Sequence, residues 1–253
     1  MQQGEITMEK DVHGIVEWLQ NQVKETGVDG LLVGVSGGLD SAVVANLIKR
    51  ACPDNSLGVM MPIYTSASDL GDAENVIEKC GIDSMLVDLT ETHEVMYSQI
   101  QKGLKEKGEF NEENDRLAGA NLRARLRMGT LYTIATNYNY LVVGTDNAAE
   151  WYTGYFTKYG DGGVDILPLV EYTKTEVREL AKYLDVPEHI VTKKPSADLW
   201  EDQTDEAEMG VTYDTIDAYL KGQNIAEKDI EIIEDLHRRT AHKREAHPKY
   251  TRS

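Results

Sequence analysis

The chain has 253 residues, of which 41% are hydrophobic, enough to bury a core and to exclude a disordered polypeptide. It carries 44 acidic against 26 basic residues, and a net charge of -18 repels nucleic-acid phosphates and anionic membranes, so neither is expected as a partner. The two cysteines, Cys52 and Cys80, have no Cys or His at zinc-ligand spacing and read as reduced thiols; residues 1–11 lack the apolar stretch of a signal peptide and no run is long enough to span a bilayer, so a cytoplasmic location is expected.

Apolar periodicity over residues 6–23 predicts an amphipathic helix, with Ile15, Leu19 and Val23 on one side. Residues 31–35 form a β-rich run that reads as a buried parallel strand, followed by a helix over 41–51. A strand over 56–61, a helix over 68–80, a strand over 85–89 and a helix over 92–105 continue the alternation. The charged stretch 105–115 reads as a loop, 114–136 as a helix and 140–144 as a fourth strand. A glycine-rich loop at 160–163 and a short apolar segment at 166–170 come next, then helices over 173–183, 213–220 and 227–242. Strands alternating with helices predict an α/β fold, a parallel sheet with helices on both faces, in a single domain over 1–253. Residues 194–210 are crowded with acidic side chains and read as a mobile loop, either a solvated connection or a lid.

The chemistry begins where the first strand runs into Ser36-Gly37-Gly38-Leu39-Asp40-Ser41 and then into a helix. Gly37 and Gly38 let phosphate oxygens approach the main chain, and the helix start offers unpaired N–H groups to an anion. Ser36 and Ser41 add hydroxyl donors. Asp40 is at odds with a bare phosphate but fits one that shares a Mg²⁺ ion, which prefers carboxylate and phosphate oxygens. The loop lacks the Gly-Lys-Ser/Thr of a Walker A motif and the third glycine of a dinucleotide fingerprint.

Ser-Gly-Gly-x-Asp-Ser resembles the pyrophosphate loop of the N-type ATP pyrophosphatases, which split ATP into AMP and pyrophosphate while adenylating a substrate. Further blocks narrow the resemblance: Asn121 to Met128 with arginines at 123, 125 and 127, Gly144-Thr145-Asp146-Asn147-Ala148-Ala149-Glu150, Phe156-Thr157-Lys158-Tyr159-Gly160-Asp161-Gly162-Gly163, Thr173 to Arg178, and Lys194-Pro195-Ser196-Ala197-Asp198-Leu199. Together these resemble the ammonia-dependent NAD synthetases over nearly the whole chain. The resemblance implies an adenine nucleotide α-hydrolase-like, Rossmann-like fold, and amidation of deamido-NAD by ammonia through an adenylate, with ATP as co-substrate. It implies ATP contacts at Gly34, Val35, Ser36, Gly37, Gly38, Leu39, Asp40, Ser41, Thr145, Lys174 and Ser196. Deamido-NAD contacts are implied at Arg125, Lys158, Asp165, His242 and Lys243, and Mg²⁺ ligands at Asp40 and Glu150. Catalytic roles are implied for Asp40 and Lys174, with Asp161 as acceptor of a proton from ammonium. A homodimer is implied, with helix 114–136 as an interface element through Leu117, Leu122, Leu126, Met128 and Leu131.

Simpler readings stand beside these. Glu150 also suits a helix start, Arg123 and Arg127 also suit structural pairing with acidic helices, and Trp151 and Tyr152 also suit packing. Glutamine-dependent relatives add an amidohydrolase domain with a catalytic Cys; neither Cys52 nor Cys80 sits in such a setting, so the expected nitrogen source is free ammonia or ammonia supplied by a separate protein. The rival readings are a tRNA-thiolating enzyme, which the net charge and isolated cysteines oppose, and a non-catalytic nucleotide binder.

Overall fold

The computed structural model describes residues 2–193 and 204–252. Four parallel strands form one sheet in the order β3-β2-β1-β4: β1 (Gly30–Gly34), β2 (Ser56–Met60), β3 (Asp83–Leu86) and β4 (Tyr140–Val142). The register pairs Leu31 with Ser56 on one side of β1 and with Leu141 on the other. Alternation along β1 sends Leu31, Val33 and Val35 to one face and Leu32 to the other, and each face has its own core.

The first face packs against α1 (Gln2–Thr26), α2 (Leu39–Ala51), α3 (Ala67–Cys80) and α7 (Lys174–Tyr183). The second is covered by α5 (Glu112–Tyr138), with α4 (Thr90–Lys107) outside it. A parallel sheet with helices on both faces is therefore present, as expected from the alternating pattern. A third cluster joins α6 (Ala148–Thr153) to α9 (Asp205–Met209), α10 (Tyr213–Leu220) and α11 (Glu227–Arg239), around fully buried Tyr213, Ile216 and Ile233. A short α8 (Glu188–Val191) and a 3₁₀ turn (Ala241–Lys243) complete the elements.

Several expectations shift. The third strand spans Asp83–Leu86, earlier than 85–89, and most of it is exposed, as its place at the sheet edge allows. The expected 105–115 loop shrinks, because α4 runs to Lys107 and stops at Gly108 in a left-handed conformation, and Asn111 already caps α5. The acidic stretch 194–210 is not all loop: Asp205–Met209 is helical, capped by Thr204, whose side chain accepts from Ala207 N. Its other part, including Ser196, lies outside the described residues. The last predicted helix ends at Arg239, short of 242. Of the five apolar residues expected to give α5 an outward surplus, Leu122 and Met128 are half-buried. Leu126 and Leu131 pack into the second core, leaving Leu117 exposed, whereas Val95, Met96 and Ile100 of α4 face outward. Among the described residues no helix is long and apolar enough to cross a membrane.

Candidate active site

The chain turns from β1 toward β2 on one side and reaches β4 on the other, so a crevice opens between the carboxyl ends of β1 and β4, where ligands of open α/β sheets bind. A cavity of about 470 Å³ lies there. Gly34, Val35, Ser36, Gly38, Leu39, Asp40 and Ser41 line it from β1 and α2, Thr145 and Asp146 from the end of β4, Glu150 from α6, and Lys174 from α7.

The phosphate loop is held by its own side chains. Ser41 Oγ donates to Gly38 O at 3.0 Å, and Gly38 N donates to Ser36 Oγ at 3.2 Å. Gly37 has φ of 79°, and a Cβ there would stand 2.8 Å from Asp69 O on α3, so both the conformation and the neighbouring helix exclude a side chain. The expected freedom of Gly37 is thus required by packing as well as by approach of a ligand. The first N–H groups of α2, without partners in the helix, open toward the cavity.

Two carboxylates converge beside that loop. Lys174 Nζ lies 2.5 Å from Asp40 Oδ2 and 3.3 Å from Glu150 Oε1. Asn147 fixes both: its Nδ2 donates to Asp40 Oδ1 at 2.9 Å, and it caps α6 in a reciprocal box with Glu150. Tyr213 OH lies 2.9 Å from Glu150 Oε1 and 2.9 Å from Asp205 Oδ2, tying the third cluster to the site. Burial pushes the Glu150 carboxyl up to about 7, although Lys174 opposes the shift. Burial alone would lower the Lys174 ammonium, but Asp40 and Glu150 hold its proton and the net shift is upward.

This geometry suits a divalent cation. The two carboxylates that would hold it share one cation here, the Lys174 ammonium. Among the described residues no three His, Cys, Asp or Glu side chains form a complete metal cage. Mg²⁺ bound through one or two carboxylates plus substrate phosphates needs none.

The expected substrate residues divide into two groups. Lys243 and Asp161 line the cavity; Lys243 Nζ donates to the carbonyls of Gly154 and Phe156 at 2.7 and 2.5 Å, and Asp161 Oδ1 accepts from Thr157 N at 3.0 Å. Arg125, Lys158 and His242 form a chain outside it, with Arg125 donating to Lys158 O and Lys158 Nζ to His242 O. Asp165 stands apart, accepting from Tyr132 OH and from Val142 N. Arg127 donates to Met61 O and lines the cavity. Trp151 stacks on Phe156, and Tyr152 on His237, as packing contacts. Sequence reasoning missed Asn147, Tyr213 and Asp205 as parts of the site. An Asn three residues before a Glu was a legible capping signal; nothing local linked Tyr213 to Glu150, 63 residues away.

Known proteins agree with this architecture. The model of the NAD synthase family matches residues 11–247. An NH(3)-dependent NAD(+) synthetase of Alkaliphilus oremlandii is 55% identical over 241 residues, covering 95% of this chain and 96% of that protein. A structure of NMN synthetase from Francisella tularensis superposes with a TM-score of 0.89 at 40% identity, covering 96% of this chain and 98% of that one. The NH3-dependent NAD synthetase of Campylobacter jejuni, solved with a nitrate ion, gives a TM-score of 0.77 at 27% identity, over 97% and 99% of the two chains. With a family model spanning nearly all of the chain and a relative this similar along its length, the chain belongs to the NAD synthase family.

Proposed function

We propose that the chain catalyses ATP-dependent amidation of deamido-NAD by ammonia, giving NAD, AMP and pyrophosphate. The observation that carries this reading is the convergence of the phosphate loop, Asp40, Glu150 and Lys174 at one end of a single cavity. A carboxylate is a poor acyl donor because oxide is a poor leaving group. Transfer of AMP onto it supplies a good one, and the enzyme's task is to hold two anions together and offset their charge.

Residues Gly34 to Ser41, Thr145 and Lys174 bind the ATP phosphates in this reading, together with Ser196. Asp40 and Glu150 would hold Mg²⁺, which would supply positive charge beside the phosphates. Lys174 then turns from the two carboxylates to phosphate oxygens. Lys243 holds deamido-NAD within the cavity, and Arg125, Lys158, Asp165 and His242 hold its outer part. Asp161 takes a proton shed by the nitrogen nucleophile.

The active form in this reading is a homodimer. Support comes from the exposed Val95, Met96, Ile100 and Leu104 of α4, with Leu86 of β3 and Leu117 of α5, apolar side chains that a second copy would cover. The whole chain acts as one catalytic domain in the cytoplasm, and its acidity argues against nucleic acid or membrane as a partner.

The test is release of pyrophosphate from ATP and Mg²⁺ with deamido-NAD, with and without ammonium, with NAD followed separately. Both products are expected only with all components present. Pyrophosphate without NAD would refute the assigned acceptor or nitrogen donor, and no pyrophosphate at all would favour a nucleotide binder. A second reading has one observation in its favour: the Francisella tularensis structure is that of an NMN synthetase. Deamido-NMN is therefore the competing substrate, and kcat/KM for the mononucleotide above that for the dinucleotide would select it.

A further inference from the structure

The buried carboxyl of Asp146 has no place in the roles given so far. Asp146 follows the end of β4, between Thr145 and Asn147, and lines the cavity. The residue is 4% exposed, and its Oδ2 has no hydrogen-bond partner among the described residues. An orphaned carboxyl oxygen at such depth costs about 1–3 kcal/mol or more, so a functional account is needed. It caps no helix: the neighbouring Asn147 caps α6 and steadies Asp40. Burial raises the Asp146 carboxyl well above the usual range, and Asp161, Glu150 and Asp40 add to the effect while Lys243 opposes it. A small cation that donates hydrogen bonds would relieve both the charge crowding and the missing partner.

The proposed reaction supplies one. Ammonium carries four hydrogens and the product amide keeps two, so forming the C–N bond sheds two protons. The first must leave before attack, to free the nitrogen lone pair. The lone pair then bonds to the acyl carbon. The carbon–oxygen bond to AMP breaks, AMP departs with that electron pair on its phosphate, and the second proton leaves the new C–NH₃⁺ group. Two acceptors are needed, and Asp161 is one.

We propose that Asp146 is the other: its free oxygen receives the ammonium ion and takes the first proton, leaving the second to Asp161. The assignment rests on the amidation reaction proposed above and adds a catalytic residue to it. It also explains why the site tolerates an unpaired buried carboxyl oxygen, since its partner arrives with the substrate.

Hydroxylamine separates this role from a structural one, because it is neutral at a pH where ammonia is mostly ammonium and needs no first proton removed. In Asp146→Asn, ATP–pyrophosphate exchange dependent on deamido-NAD should persist, showing that adenylation is intact. Ammonium-dependent NAD formation should fall by about 10²-fold or more, the usual scale of general-base catalysis. Hydroxylamine-dependent product should fall far less, so the hydroxylamine-to-ammonium ratio should rise about as much. Both nucleophiles are read on the same preparation, so the ratio does not depend on how much of the variant is folded; Asp146→Ser should give the same rise. An unchanged ratio in both variants, or loss of pyrophosphate exchange in step with NAD formation, would overturn the assignment. Absence of exchange in the wild-type protein would instead refute the parent reaction, and this inference with it.

Discussion

Lys174 Nζ lies 2.5 Å from Asp40 Oδ2 and 3.3 Å from Glu150 Oε1, so a single lysine offsets part of the charge of both carboxylates. The lysine occupies the position that suits a divalent cation. Mg²⁺ alone should therefore bind weakly, and tightly only with ATP, whose phosphates draw the ammonium away. Lys174→Ala removes the cation that the two half-buried carboxylates share and should lose about 3 kcal/mol of stability. Mg²⁺ without nucleotide should raise the variant's Tm more than that of the wild type. Thermal unfolding with and without Mg²⁺ checks this; equal shifts would contradict the account.

The Glu150 carboxyl makes stability depend on pH in a defined direction. Its value rises from an ordinary 4.5 to about 7 in the folded protein, mainly by burial. Below about 4.5 it is protonated in both states and its contribution is fully present; that contribution is lost as pH rises through about 7. Glu150→Gln removes the buried charge and keeps an acceptor for the capping box. Without ligands, the variant should gain on the wild type by an amount on the order of 1 to 3 kcal/mol between pH 4.5 and pH 8. Unfolding at several pH values reads this difference, and a variant that falls behind as pH rises would disprove it.

Gly37 provides a test of the phosphate loop. Gly37→Ala forces a side chain into φ of 79° and against the α3 backbone. The left-handed conformation alone costs about 1–2 kcal/mol, and the collision must displace the loop or the helix. Stability should fall by about 2 kcal/mol, and ATP affinity, measured calorimetrically, should fall at least tenfold. Ala at Gly14, in the interior of α1 where nothing lies within 4 Å of a built Cβ, is the control and should leave ATP affinity unchanged while raising stability by about 0.5–1 kcal/mol.

The outward apolar face gives a prediction about assembly. Ile100 is 42% and Leu117 56% exposed, so charged replacements there cost the isolated fold little. Ile100→Asp combined with Leu117→Glu should give a monomer by light scattering with a wild-type circular dichroism spectrum, and the unmodified chain should run as a dimer. A dimer unaffected by the double substitution would place the interface elsewhere.

The sequence determined by itself those features that rest on local chemistry. The β-rich run at 31–35 leading into Ser36-Gly37-Gly38 dictates a strand, a tight turn and a helix start, since glycine suits the left-handed backbone at Gly37 and a helix start offers free N–H groups. The alternation of strands and helices dictates a parallel sheet covered on both faces. Asp40, Lys174 and Glu150 could be named because their motifs are contiguous. What the tertiary structure alone decided is their relation. Lys174 meets Asp40 across 134 residues, and Tyr213 meets Glu150 across 63, because α7 and α10 pack near the carboxyl ends of β1 and β4. The exposure of β3 follows from its place at the sheet edge, and the depth of Asp146 from its place at the end of β4. Strand order and helix packing are set by burial summed over the whole chain, and a local window contains no record of that sum.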